Sequence, residues 1–403
     1  MDNAVKYMPS MLTGEDLRNA LTALPTYDAT IRNAPTAERL IELNNLYEIY
    51  YPSAMSEEIY CKLYLALLRS LQKKGSKTAI TQGNLNRHGV GNGIIGGSDS
   101  FTILGKSGIG KSATINRAIS LISPKAIIVT DEPYRRIVPI ITVQTPYDCS
   151  VKGLLLEILR EADKSLGTNY HANAVKARAT TDALIGSVSN ICLHSVGLLI
   201  IDEFQNICGK NGGNLMGVLL NLINSSGISV AMVGTLETKA FFSDASFQLS
   251  RRSLGLQYDT LPLGKHFYNL CRQLTAYLYV KEDFTLTDEV VHWLHTHSNG
   301  VVSVVVSLIK DAQEIAILNG SETLSIATLN LAYQQRLTLL HTHINSQPIK
   351  HPPLDFVVTC AKRMITTKVE NYITDTVGLW KKAGGDLIGM LKEQITIKEI
   401  PLC

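Results

Sequence analysis

Three glycines and a lysine stand in the stretch GKSGIGKS, from Gly105 to Ser112, and few folds accommodate such a loop. The apolar run FTIL precedes it, and the apolar spacing of SATINRAISLI after it indicates a helix. Glycine allows backbone torsions and close approaches that a Cβ atom would prevent. A surface turn is the plain alternative, but the order strand, glycine-rich loop, helix predicts a phosphate-binding loop.

In such a loop, backbone N–H groups point toward phosphate oxygens, and the next helix presents its positive N-terminus. We expect Lys111 to contact the β- and γ-phosphates and the Ser112 hydroxyl to coordinate Mg²⁺. The predicted ligands are therefore ATP and Mg²⁺. The loop residues predicted to bind the nucleotide are Gly105, Ser107, Gly108, Ile109, Gly110, Lys111, Ser112 and Ala113.

A second apolar run, GLLII, ends in Asp202 and Glu203. On a buried strand beside the loop strand, Asp202 would bind the nucleotide and hold Mg²⁺, and Glu203 would polarise the attacking water. A plain strand end is the alternative for this pair. The next run, ISVAMVGT, ends at Thr235, which would lie between that water and the γ-phosphate or simply cap the following helix.

The stretch QLSRRSLG contains two adjacent arginines, Arg251 and Arg252. An arginine supplied by a neighbouring subunit neutralises the charge that develops on a γ-phosphate during transfer. A solvated pair of surface arginines is the alternative. We include both in the predicted catalytic set, together with Glu203 and Thr235.

The composition limits the class of protein and its location. Hydrophobic residues make up 45% of the chain and charged residues 18%, as in globular proteins. The length of 403 residues predicts two or three domains. A net charge of +3 does not by itself indicate a nucleic-acid partner. The scattered cysteines argue against a zinc site or a disulfide framework, and no run reaches the ~18–20 apolar residues that span a bilayer. We expect a cytoplasmic protein with no membrane partner.

Changes in pattern along the chain divide it into five regions. Residues 1–75 predict helices, with Thr36 as the N-cap of one, and residues 76–99 predict a linker rich in Gly, Ser and Asn. Short apolar runs alternate with helical patterns over residues 100–262, which predicts a mostly parallel sheet covered by helices. Residues 263–343 predict a helical lid, and residues 344–403 a linker and a tail that is a candidate for partner binding.

Together these stretches resemble AAA+ ATPases, and in particular the transposition regulators of Tn7-like elements, TnsC and its TniB relatives, with TnsC as the nearest resemblance. LGKSGIGKS, GLLIIDEFQNI, ISVAMVGT and LSRRSLG resemble the ATPase motifs of that family in order. PYDCSVKGLLLEIL with LGTNY, SNGVVSVVVSLIKDAQ and LPTYDATIRNAPTAERLIEL are less generic stretches that also resemble it. The implied fold class is an α/β AAA+ P-loop NTPase with a parallel-sheet core, a helical N-terminal extension and a helical lid and C-terminal region.

The resemblance implies a slow, regulatory ATPase in the bacterial cytoplasm. Its subunits would form rings or helical filaments on double-stranded DNA and link a target selector to the transposase. That selector would be a TniQ- or TnsD-like DNA-binding protein or a guide-RNA complex. The resemblance assigns sensor 1 to Thr235 and the trans-acting finger to Arg251 or Arg252. Many AAA+ proteins carry an arginine after the lid glycine, whereas here Ser303 is near that place.

The segment between the second strand and Asp202 lies toward the pore in this fold, and its cations are candidates for phosphate contacts. We predict DNA binding by Lys152, Lys176 and Arg178, with Lys152 first; Lys164 is a further cation of the segment. A solvated helix face is the alternative for Lys176 and Arg178. The alternative functions are a replication initiator or clamp loader of the same fold, a scaffold that binds ATP only to fold, and a metabolic kinase.

Overall fold

A computed structural model describes residues 3–74, 100–130, 134–146, 150–208, 212–239 and 254–338, all within one unit, Met1–Ile344. At residues 207, 208, 212–216 and 254 it describes the backbone alone. The predicted linker 76–99, Arg251, Arg252 and the tail 344–403 lie outside the described residues.

The described strands form one six-stranded sheet in the order β2-β3-β4-β5-β1-β6. Their bounds are β1 (Phe101–Gly105), β2 (Ile128–Thr130), β3 (Arg135–Gln144), β4 (Val196–Asp202), β5 (Ser229–Gly234) and β6 (Leu254–Tyr258). All neighbours are parallel except β2, which is antiparallel to β3. The carboxyl ends of β1, β3, β4, β5 and β6 therefore meet at one edge of the sheet.

Helices surround this sheet and continue past it. Their bounds are α1 (Gly14–Leu21), α2 (Thr36–Glu42), α3 (Ala54–Lys74), α4 (Lys111–Ile122), α5 (Val151–Leu166), α6 (Tyr170–Lys176), α7 (Thr181–Ser195), α8 (Gln205–Cys208), α9 (Gly212–Ser226), α10 (Lys265–Thr275), α11 (Asp288–Ser298), α12 (Val302–Leu318) and α13 (Ile326–Arg336). In the described part of the chain, no helix is both long and apolar enough to cross a bilayer.

Two apolar layers cover the sheet, which explains why β4 and β5 are continuous apolar runs. One layer packs α5, α7 and α9 against the strands, through residues such as Ile158, Val188 and Leu222. The other consists of α3 and α4 together with α1, through residues such as Leu63 and Ile115. The predicted α/β core with helices on both faces is confirmed.

The structure corrects four details of the sequence prediction. The strand that ends at Asp202 is not beside the loop strand, because β5 pairs with both β1 and β4 and lies between them. The short strands β2 and β6 were not predicted. Pro35, not Thr36, is the N-cap of α2, and the predicted helix changes to a 3₁₀ helix over Leu43–Tyr47.

The N-terminal extension contacts both the sheet layer and the lid. Leu43 and Leu46 pack with Phe267, Leu274 and other residues of α10 to α13 in a third apolar cluster. Arg39 of α2 is 2% exposed and donates two hydrogen bonds to Glu322, which follows α12, with N–O distances of 2.6 and 2.7 Å. It also donates to the carbonyl of Tyr279 at 3.0 Å. This ion pair therefore fastens the extension to the lid.

Arg39→Met is expected to lower the free energy of unfolding by about 3 kcal/mol at pH 7, because it leaves the Glu322 carboxylate largely buried without its partner. The guanidinium of Arg39 lowers the pKa of Glu322. The stabilisation is therefore present above the ordinary glutamate pKa and is lost as the pH falls through the lowered folded value. The difference in unfolding free energy between the variant and wild type should therefore shrink at acidic pH. Urea unfolding at pH 7 and at a pH below the lowered pKa of Glu322 measures this change.

Arg18→Met is the matched control, because Arg18 forms an ion pair with Glu57 at 2.6 Å but its side chain is 55% exposed. We expect a much smaller loss for this variant, because exposed ion pairs are screened by water and contribute little to stability. Equal losses in the two variants would contradict the role of the buried pair.

Candidate nucleotide-binding site

The phosphate loop connects β1 to α4 and closes against the lid. Gly110, with φ of 96°, is the N-cap of α4, and Gly108 has φ of 79°. Both glycines therefore have left-handed torsions that other residues rarely adopt. A Cβ atom on Gly108 would lie 2.4 Å from the Oγ atom of Ser303 in α12. The glycine at position 108 thus allows the lid to approach the loop.

The side chain of Lys111 folds back over the loop. Its Nζ atom donates to the carbonyl oxygens of Gly105 at 2.7 Å and Lys106 at 2.8 Å. Burial lowers the pKa of Lys111, and the carboxylates of Asp202 and Glu203 oppose that shift. The ammonium group is therefore held at the mouth of the loop, where it can exchange a carbonyl for a phosphate oxygen.

Ser112 and Asp202 meet as the sequence predicts, although β5 separates their strands. The Ser112 hydroxyl donates to Oδ2 of Asp202 at 3.0 Å, and Oδ1 accepts from the backbone N–H of Glu203 at 2.8 Å. Thr145, at the end of β3, donates to the carbonyl of Asp202 through both its N–H and its hydroxyl. A hydroxyl and a carboxylate are hard oxygen ligands that suit Mg²⁺.

These two residues fit a Mg²⁺ ion that takes its other ligands from phosphates and water. Among the described residues there is no group of three or more His, Cys, Asp or Glu side chains that would hold a metal alone. Mg²⁺ usually binds through one or two carboxylates plus substrate phosphates, which agrees with this ligand set.

Glu203 adopts a backbone conformation that is unusual for a glutamate. Its φ is 54°, and the next residue, Phe204, is fully buried and donates its N–H to the carbonyl of Val233 at 2.9 Å. Such left-handed torsions cost energy and persist where the surroundings hold them. The turn after Asp202 is thus fixed to β5, and the Glu203 side chain reaches the same cavity as Lys111.

Gln205 joins Glu203 to the end of β5, and sequence reasoning did not identify it. Its Nε2 atom donates to Oε2 of Glu203, and its Oε1 atom accepts from the backbone N–H of Thr235 at 3.2 Å. The Oγ1 atom of Thr235 is buried and has no hydrogen-bond partner among the described residues. A polar residue two positions after the acidic pair was the available signal in the sequence.

Two neighbouring cavities extend from the loop. The smaller, of about 270 Å³, is lined by the predicted loop residues Ser107, Gly108, Gly110, Lys111, Ser112 and Ala113 and also by Asp202, Glu203, Gln205, Gly234, Thr235 and Ser303. The larger, of about 820 Å³, lies between the N-terminal extension, α4 and the lid, and its lining includes Tyr50, Ile109, Tyr258 and Val306. Gly108, Gly110, Ala113 and Ser303 line both.

The lid contacts the loop through Ser303, whose backbone N–H donates to the carbonyl of Gly108 at 3.0 Å. Ser303 is near the position where many AAA+ proteins carry an arginine, and it lines the small cavity. At this contact the lid therefore presents a serine to the loop and not an arginine.

The cations of the segment between β3 and β4 differ in their surroundings. Lys164 pairs with Glu161 at 2.5 Å. Lys152 near the start of α5, Lys176 at the end of α6 and Arg178 after it are exposed, and none has an ion-pair partner within the described ranges. These three residues therefore have no competing carboxylate among the described residues, whereas Lys164 has Glu161 beside it.

Residues 97–255 match the family of bacterial TniB proteins. The resemblance to this family is confirmed. The TniB-type segment contains the loop, Asp202, Glu203 and Thr235, and it leaves out residues 1–96 and 256–403. With the sheet order given above and the helical lid, the chain has the α/β P-loop fold of AAA+ proteins.

The chain also resembles solved structures at low identity. ORC1 of Aeropyrum pernix in complex with DNA is 15% identical, with a TM-score of 0.45 over 73% of this chain and 68% of that one. Drosophila ORC bound to DNA is 13% identical, with a TM-score of 0.39 over 82% and 70%. Domain III of the Thermotoga maritima replication initiation protein DnaA is 15% identical, with a TM-score of 0.37 over 64% and 89%. No curated protein sequence matches the chain.

Proposed function

We propose that this TniB-type chain is an ATP-dependent regulator of DNA transposition that binds duplex DNA without sequence preference. The observation that carries the proposal is the convergence of Lys111, Ser112, Asp202 and Glu203 on one cavity within the segment that matches the TniB family. Family membership supplies the biological setting, and the cavity supplies the chemistry.

In the proposed complex, ATP would occupy the two neighbouring cavities in one orientation. The phosphates would occupy the small cavity, where the N–H groups at the start of α4 and the Lys111 ammonium supply positive charge. The adenosine would occupy the larger cavity, whose wall includes the aromatic rings of Tyr50 and Tyr258 and the side chain of Val306. Apolar walls with a few polar groups are typical of such sites.

Hydrolysis follows from the acidic pair and the end of β5. Bound Mg²⁺ neutralises phosphate charge as it develops. Glu203 would accept the proton of the attacking water. The Thr235 hydroxyl, which has no partner in the described part of the chain, would hold that water against the γ-phosphate. Lid contact through Ser303 supplies no positive charge, which supports a slow, regulatory ATPase. A neighbouring subunit would add the finger, Arg251 or Arg252.

In the proposed cycle, ATP-bound subunits assemble into rings or filaments on duplex DNA that a target selector has marked. The assembly then recruits the transposase, and hydrolysis dismantles it. The selector would be a TniQ- or TnsD-like protein or a guide-RNA complex. Contacts to DNA would be made with phosphates, which fix position without reading sequence.

Lys152→Ala is expected to weaken binding to all duplex sequences about equally, because Lys152 is exposed and forms no ion pair with the described residues. Loss of one phosphate contact should also weaken the salt dependence, so that the negative slope of log K against log salt decreases in magnitude by about 0.9. The combined change Lys176→Ala/Arg178→Ala is expected to act in the same direction. Fluorescence anisotropy with two unrelated duplexes over a range of salt, in the presence of a slowly hydrolysed ATP analogue, measures both quantities.

Lys164→Ala is the matched control, because Lys164 lies on the same helix as Lys152 but is already paired with Glu161. Its DNA affinity and salt slope should equal those of wild type. A wild-type protein that binds one duplex and not the other would contradict the proposal and favour a replication initiator.

A further inference from the structure

Gln205 occupies a position between two groups that hydrolysis needs in a fixed relation. It begins the short helix α8, three residues after Asp202, and its half-buried side chain lines the small cavity. One end of its amide contacts the carboxylate of Glu203 and the other contacts the backbone of Thr235. The side chain thus bridges the ends of β4 and β5.

The orientation of this amide follows from its partners. A carboxylate oxygen accepts hydrogen bonds and a backbone N–H donates them, so Nε2 must face Glu203 and Oε1 must face Thr235. A rotated amide would oppose acceptor to acceptor and donor to donor. Gly234 keeps the space open, because a Cβ atom there would lie 3.1 Å from Oε1 of Gln205 and 2.8 Å from Oγ1 of Thr238.

We propose that Gln205 is a positioning residue for ATP hydrolysis that fixes the Glu203 carboxylate relative to the end of β5. It touches neither the nucleotide nor the water in this role but acts through Glu203. The inference rests on the proposed function, since it assigns a partner to the glutamate that activates water.

The Glu203 carboxylate requires a partner that fixes its position, because the side chain can adopt several rotamers. Its carboxylate ends a flexible side chain that is exposed to the cavity, while its backbone is anchored by Asp202 and by the burial of Phe204. Without the Gln205 amide, the described residues offer the carboxylate no other hydrogen-bond donor. The amide holds one oxygen, Oε2, and leaves Oε1 for the water. The Thr235 hydroxyl, at the end of β5, has no hydrogen-bond partner among the described residues.

Two substitutions of Gln205 distinguish the effects of its two hydrogen bonds. Gln205→Leu removes both, and Gln205→Glu keeps the acceptor for Thr235 but replaces the donor to Glu203 with a like charge. We expect both variants to lose about 10- to 100-fold in kcat, because misplacing a catalytic group by about 1 Å has effects of that size. The KM for ATP should stay within about twofold of wild type, since the phosphate contacts are unchanged. Steady-state hydrolysis in the presence of duplex DNA and Mg²⁺ gives both constants.

A double-mutant cycle with Glu203→Gln tests whether Gln205 acts through the glutamate. In the Glu203→Gln background, Gln205→Leu should cause no further loss in residual hydrolysis, because the group it positions is already gone. A general structural defect would instead lower the rate again and reduce ATP affinity. Asn206→Ala, at the exposed neighbouring position on α8, is the control and should keep the wild-type kcat.

The outcomes of these experiments test the positioning role of Gln205 separately from the proposed function. If wild type hydrolyses ATP and Gln205→Leu or Gln205→Glu does so equally fast, Gln205 has no positioning role and the proposed function stands. Additive losses in the cycle would also overturn the inference. Absence of hydrolysis by wild type in the presence of DNA would overturn both.

Discussion

Replacing Lys111 with alanine is expected to abolish ATP binding and, with it, assembly on DNA. The Lys111 ammonium already makes two hydrogen bonds within the loop, at 2.7 and 2.8 Å, and would exchange them for phosphate oxygens. Each hydrogen bond to a charged group contributes about 1.5–3 kcal/mol, so loss of the side chain should raise the Kd by about 100-fold or more. Titration with a fluorescent ATP analogue measures this change directly.

Lys125→Ala is the matched control for that experiment. Lys125 is an exposed lysine that follows α4, outside both cavities of the site, and its removal should leave the Kd unchanged. Thermal unfolding of the Lys111 variant without nucleotide should match wild type, because the loop carbonyls can bond to water instead. An unchanged ATP affinity in a folded Lys111→Ala protein would refute the assignment of the loop.

The core of the fold was predictable because local pattern and global topology agree there. Continuous apolar runs such as Leu198–Ile201 indicate strands buried on both faces, and the glycine-rich loop fixes which strand precedes the nucleotide. The order of strands was less accessible. Sequence alone placed the Asp202 strand beside the loop strand, whereas the pairing of β5 with both neighbours is a long-range property. The three-residue strand β2 was too short to produce a period.

The candidate site was predictable where a residue type follows from chemistry and spacing. Lys111, Ser112, Asp202, Glu203 and Thr235 were all predicted, and all five line the small cavity. Their catalytic roles stay predictions. Gln205 was missed because its importance depends on two tertiary contacts, one to a side chain and one to a backbone N–H. No spacing rule in one sequence encodes such a pair.

In the N-terminal extension, too, the sequence predicted the elements but not their tertiary contacts. Its helical spacing predicted amphipathic helices, but not what each apolar face covers. The structure divides the faces, with α3 on the sheet layer and Leu43 and Leu46 in the lid cluster. Which element packs against which depends on the shape and burial of elements that are far apart in the chain. The Arg39–Glu322 ion pair is one such long-range contact.

The arginine pair leads to the second large expected effect, that the ATP site is shared between subunits. Arg251 and Arg252 lie outside the described residues, but the strand that follows them begins at Leu254. Leu254 pairs with Phe101, at the start of β1, while the phosphate loop follows Gly105 at the other end of that strand. Four residue steps along a strand span about 13 Å. β6 therefore begins at the end of β1 that is away from the phosphate loop of the same chain, and the arginine pair precedes β6 in the sequence.

The combined change Arg251→Ala/Arg252→Ala should bind ATP but lose almost all hydrolysis, because no finger neutralises the γ-phosphate of the next subunit. Glu203→Gln should be equally inactive, because it keeps its finger beside a site without the base. Mixed in equal amounts, the two inactive proteins should recover hydrolysis. In a head-to-tail assembly with random mixing, about a quarter of the interfaces would pair an intact site with an intact finger, so about a quarter of wild-type activity is expected.

The negative control replaces the Glu203→Gln protein in that mixture with Lys111→Ala, which should not join an ATP-dependent assembly and so should restore nothing. Co-assembly of the two complementing variants on DNA is followed separately, with a different fluorescent label on each. Hydrolysis is then read as a function of the mixing ratio, and a maximum near equal amounts is the expected signature of a shared site. If labelled variants assemble together and the mixture stays as inactive as its parts, the arginines do not act between subunits.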